Sequence, residues 1–199
     1  MYSFIRELTE KSGIGYVTPE QVGAWLGAAQ TKKFNDYRRL GALDNVTQSS
    51  MAPFVALHEF TSSAAGHFTK PSNYVQALRI VGSNGRDYTP VLFNELRDAL
   101  SSALEPIALF PRYGEGGNYI ALYPQVAVSG ELTYYRLPLD PVIGYLPDSD
   151  GLPTYDISTS TQIEIPPAYW IEIIDEALKY AGVNLSSPDL FALSQNSNQ

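Results

Sequence analysis

"IEIPPAYWIEIIDEALKYAG", residues 163–182, reads as a strand end at Ile163–Ile165, a double-proline corner and a helix. From Trp170 the apolar positions are Trp170, Ile173, Ile174, Ala177, Leu178 and Ala181. Steps of three and four residues put all six on one helical face. Pro166 and Pro167 impose an extended entry into that helix. Gly182 stands where a C-terminal cap belongs, and Lys179 in the last turn suits the negative end of the helix dipole. Burying the stripe is worth about 1.5–3 kcal/mol per large side chain. Trp170, Ile174 and Leu178 are expected to lie against a sheet. Glu172, Asp175 and Glu176 occupy the polar side and read as a solvated face. The helix carries no nucleophile and no histidine. It is made for packing.

Upstream, the pattern is β. Tyr74–Val81 is a strand, and "YTPVLF" follows the turn "GSNGRDY" as another. "IALFPRYGEGGNYIALYPQ" is a hairpin around a glycine-rich turn at Gly114–Asn118. "VAVSGELTYYR" supplies one more strand, with Leu132, Tyr134 and Arg136 on one face and Thr133 and Tyr135 on the other. A further strand is expected around residues 54–60, in an otherwise irregular stretch from 44 to 73. "DSDGLPTYDISTST" reads as a loop, and "NELRDALSSALEP" as a helix capped by Asn94.

Helices open and close the chain. Residues 2–11 give a short one. "TPEQVGAWLGAAQTKKFNDYRRLGAL" gives a longer one, with Thr18, Pro19 and Gln21 forming a capping box around Pro at the first helical position. Val22, Trp25, Leu26 and Ala29 form its core-facing stripe. Gly23 and Gly27, four residues apart, suggest a close contact with another helix. A last short helix begins at Ser187–Pro188. The class is α+β: N-terminal helices, a central antiparallel β-sheet, and a C-terminal amphipathic helix packed on the sheet. Residues 1–43 read as an N-terminal helical arm and 44–199 as the α+β domain with its C-terminal helices, the two expected to form one compact unit.

Composition narrows the function. The 199 residues carry a net charge of −8, which argues against gripping nucleic acid through clustered Lys and Arg. There is no cysteine, hence no disulfide framework or thiolate, which fits a reducing cytoplasm. "MYSFIRELTEKSG" lacks the basic and apolar regions of a signal peptide, and no apolar run is long enough to span a bilayer. Fourteen tyrosines suit both sheets and interfaces.

The chemistry is sparse. His58 and His67 lie nine residues apart, too far for the two histidines of a zincin helix. "GEGGN" lacks the Gly-Lys-Ser/Thr ending of a phosphate loop. "DSDG" at Asp148–Gly151 opens like a calcium loop but has Thr159 where a bidentate Glu would stand. No Gly-x-Ser-x-Gly elbow marks an activated serine. The expectation is therefore no catalytic residue, no cofactor and no metal.

One resemblance supplies a context. Tyr123–Pro124, then Thr133–Tyr134–Tyr135–Arg136 with Pro138, then Ile165–Pro166 with Ile173–Ile174 and Ala177–Leu178 recur in that order here. With "NELRDALSSALEP" ahead of them, over roughly residues 90–185, they resemble small virion structural proteins of tailed bacteriophages. These are neck or head–tail connector proteins (ring adaptors), notably of phages of Bacteroidota including crAss-like ones. The resemblance implies a homo-oligomeric ring of twelve copies between portal and tail, in contact with portal and other neck or tail proteins. Genomic DNA would pass through it without specific binding. It implies residence in the virion after assembly in the bacterial cytoplasm, with no enzymatic activity and no membrane. Leu190, Phe191 and Leu193 are too few for a core and are expected to dock on a partner. The alternatives are another tail or capsid-associated subunit, or a carbohydrate-binding β module presenting a row of aromatics.

Overall fold

The computed structural model describes residues 5, 17–40, 49–92, 95, 98, 101, 109–147 and 153–182. The expected helix at 2–11 lies outside them except for Ile5, which is helical and buried. Most of the helix expected after Asn94, the acidic turn 148–151 and the helix after Ser187 also lie outside. The α+β class holds, with helices and largely antiparallel sheets.

The chain forms two compact units, one from residues 1–53 and 138–199 and one from 54–137. The second unit is an insertion, because the chain enters it at β1 (Val55–Thr61) and leaves it after β7 (Ser129–Arg136), and these two strands pair antiparallel.

In the inserted unit β7 lies between β1 and β3 (Tyr74–Gly82). A second sheet runs β2 (His67–Thr69), β6 (Tyr119–Tyr123), β5 (Arg112–Glu115), β4 (Thr89–Pro90). The strand expected at "YTPVLF" is only these two residues, and it pairs parallel with β5. The expected hairpin is β5–β6, closed where Gly116 N–H donates to Tyr119 O at 2.9 Å. Alternation on β7 buries Leu132 and Tyr134 and leaves Thr133 and Tyr135 half-buried, as strand geometry requires. Both sheets contribute to one core: Phe60, Ile80, Leu132 and Tyr134 from one, Phe68, Tyr113, Ile120 and Leu122 from the other. Phe60 and Phe68 stack at 4.0 Å between centroids.

The other unit holds α1 (Pro19–Leu40), β8 (Tyr145–Pro147), β9 (Pro153–Tyr155) and α2 (Trp170–Tyr180). The capping box of α1 is complete: Thr18 N–H donates to Gln21 Oε1 at 3.0 Å, and Gln21 N–H to Thr18 Oγ1 at 3.3 Å. Pro167 opens a 3-10 turn, Pro167–Tyr169, that leads into α2, and Gly182 ends the helix at φ +81°. The principal partner of α2 within its unit is α1. Ile173, Ala177 and Leu178 are buried there, whereas Trp170 and Ile174 are only half-buried.

Ile163–Ile165 is not a strand. The local pairing is a single bridge between Val142 and Thr161, and Ile165 is buried as part of an irregular segment. The small face of α1 admits that neighbouring segment rather than a helix. A Cβ on Gly23 would stand 3.2 Å from Pro141 O, and one on Gly27 3.4 Å from the Pro141 ring.

Candidate functional site

Across the face of the α1–α2 unit runs a groove of about 410 Å³. Leu26 of α1 and Trp170 of α2 line it with Val142, Ile143, Tyr155 and Ile163. None of its lining residues is charged. Beside it stand large apolar side chains in water: Val142, Tyr145, Leu146, Tyr155 and Ile157, the last 70% exposed. Tyr145 and Tyr155 are cross-strand partners in the β8–β9 hairpin.

Hydrogen bonds tie this surface together. Asp156 follows β9 and takes hydrogen bonds from Ser158 N–H, Ser158 Oγ and Thr159 Oγ1, so its carboxyl is held below the ordinary range, chiefly by the Ser158 hydroxyl. Asp156 N–H donates to Gly144 O, Gly144 N–H to Ser160 Oγ, and Ser160 Oγ–H to Asp156 O. The Tyr145 hydroxyl donates to Glu20 at the start of α1, which lowers the Glu20 carboxyl. On the far side of the groove the Trp170 indole N–H donates to Ile165 O at 2.9 Å. Inside the unit, Gln30 bridges two extended segments, donating to Leu139 O at 2.8 Å and accepting from Glu164 N–H at 2.7 Å.

The three carboxylates read as a solvated face are all paired. Glu176 meets Lys32 and Glu172 meets Lys33, linking α2 to α1, while Asp175 meets Lys179 within α2. The sequence signal for the two links was lysines three and four residues past Ala29, visible only once the helices are known to be neighbours.

His58 sits on β1, and His67 on β2 stacks on Tyr119 at 4.8 Å. The two sheets keep them on separate strands with other partners. Among the described residues, no group of three or more His, Cys, Asp or Glu side chains is placed to hold a metal ion. "GEGGN" is the β5–β6 turn. Leu190, Phe191 and Leu193 lie outside the described residues, as does Asp148–Gly151. Among the described residues, no helix is long and apolar enough to cross a membrane.

The residues behind the bacteriophage resemblance occupy structural positions. Tyr123 ends β6, Thr133–Arg136 end β7, Ile165 is buried before the proline corner, and Ile173, Ala177 and Leu178 form the buried face of α2. No protein-family model matches the chain, and no curated protein matches it.

Proposed function

We propose that this chain is a virion structural protein of a tailed bacteriophage, a subunit of the neck or head–tail connector ring around the DNA channel. The observation that carries the reading is the anchored apolar surface of the β8–β9 hairpin and its groove. Exposed apolar area of this kind, held in place by Asp156, Ser160 and Glu20, suits a subunit whose partners cover it. A net charge of −8 suits a channel wall that lets DNA pass rather than holding it. The order of the Tyr123–Pro124, Thr133–Arg136 and Ile165–Leu178 motifs supports the family.

Ile157→Asp tests the surface. Ile157 is 70% exposed, so the unfolding free energy of the isolated protein should change by less than about 0.5 kcal/mol. Particles assembled with the variant should contain less of it, because a charge is desolvated at the interface. Normal incorporation would remove the hairpin from the interface. The paired Tyr145 and Tyr155 are also the feature that would serve a carbohydrate-binding module; saturable glycan binding lost in Tyr155→Ala would favour that reading instead.

A further inference from the structure

The two sheets of the inserted unit end in the strands β1, β3, β2 and β4, and three of these edges are blunted. β2 has three residues and β4 two, the second of them Pro90. β3 carries two register shifts, and its outer side is occupied where Gly82 N–H donates to Arg86 O and Tyr88 N–H to Ile80 O. β1 is different. Its seven residues contain no proline and hold one unbroken register with β7. Ser62 N–H donates to Val128 O, so the alternation of an antiparallel ladder turns the backbone groups of Ala56, His58 and Phe60 toward β7 and those of Val55, Leu57, Glu59 and Thr61 outward. Among the described residues, none of those outward backbone groups has a hydrogen-bond partner. The side chains beside them are open as well, with Val55 40% and Leu57 66% exposed. Such an edge is a template for another strand.

We infer that β1 takes an extended segment of a different protein as an added strand, with a Lys or Arg opposite Glu59 and apolar residues opposite Leu57 and Val55. Charge decides the occupant. Glu59 and Glu131 are direct cross-strand partners, both exposed, and like charges so placed repel. Arg79 borders the same hollow of the sheet but is held by Asp87 at 2.8 and 3.1 Å. A cation on the incoming strand relieves the pair. A second copy pairing through its own β1 would instead gather both carboxylates of each copy along one seam, between chains of net charge −8. Backbone bonds supply the attachment, and Leu57 and Glu59 set which side chains the strand carries. The inference goes beyond the virion reading and does not depend on it.

The probe is the capped peptide Thr-Ser-Lys-Ser-Val-Ser-Val, whose antiparallel docking places its Lys opposite Glu59 and its valines opposite Leu57 and Val55. Titrated into the full chain and followed through the amide NMR signals, it should shift those of Val55, Leu57, Glu59 and Thr61 saturably and slow their hydrogen exchange. Ala56, His58 and Phe60, already bonded to β7, should shift less. Replacing the peptide's Lys by Glu should weaken binding at least about tenfold at low salt. Glu59→Lys, at an exposed position, should remove that preference while both peptides still bind through the backbone ladder. Three results would overturn the proposal: no saturation by about 1 mM peptide, equal binding of the two peptides to the unaltered chain, or concentration-dependent shifts of the same amides without peptide. The last would give the edge to a second copy. β1 and the β8–β9 hairpin belong to different units, so failure here leaves the connector reading standing, and failure of the Ile157→Asp test leaves this one.

Discussion

Gln30 has 1% of its surface exposed and holds two backbone segments that share no secondary structure. Its amide replaces a strand ladder between the chain at Leu139 and the chain at Glu164. Gln30→Leu keeps the volume but leaves a carbonyl and an N–H without a partner, at about 1–3 kcal/mol each. Urea denaturation should show that loss, whereas an unchanged midpoint would mean the two segments are held by other contacts. Tyr113 makes a second prediction at this scale. Burial, with a smaller contribution from Glu115, pushes its phenol from 10.0 to about 12 in the folded protein. A raised folded value means the unfolded chain loses its proton first as pH rises, so stability is full below about pH 10 and falls between about 10 and 12. Denaturation midpoints across that range should decline, less steeply in Tyr113→Phe; identical slopes would contradict the assignment. Residue-level reading of the sequence found the caps at Thr18 and Gly182 because each signal is local. Gln30 was invisible, since its partners are more than a hundred positions away and a glutamine in a helix announces nothing.

Among the elements, α2 and the β5–β6 hairpin were legible because their periodicity and turn chemistry fall within twenty residues. The β8–β9 hairpin was not. It has three residues per strand, and Pro147 faces Pro153 across it, a residue that ordinarily argues against a strand. The groove escaped for a related reason: its lining comes from residues 26, 141–143, 155, 160–163 and 170, which form no motif. The stripe on α2 was read correctly as apolar, but its burial is centred on Ile173 and Leu178, with Trp170 turned to the groove. Ile173→Ala should therefore cost about 2–5 kcal/mol, the usual range for a buried isoleucine. Ile171→Ala, at a position 58% exposed, should change stability by less than about 0.5 kcal/mol. Chemical denaturation of the two variants separates them, and equal losses would mean that the face of α2 toward α1 is wrongly assigned.

The whole molecule combines an α1–α2 unit with an inserted two-sheet unit, an arrangement the sequence hid because the strands that open and close the insertion, β1 and β7, lie far apart in the chain. The boundaries fall at Pro53 and Pro138, yet with fourteen prolines in the chain neither stands out. As a connector subunit the molecule should use heterologous contacts, one surface of each copy against a different surface of the next, closing into a ring. The exposed hairpin and the net negative charge fit such a part. Imaging the neck of the assembled bacteriophage by electron cryo-microscopy tests the central claim most directly. The account predicts a closed ring of about twelve copies of this chain between portal and tail, with the β8–β9 hairpin of each copy covered by a neighbour. Particles that contain no copy of the chain, or copies with that hairpin facing solvent, would contradict it.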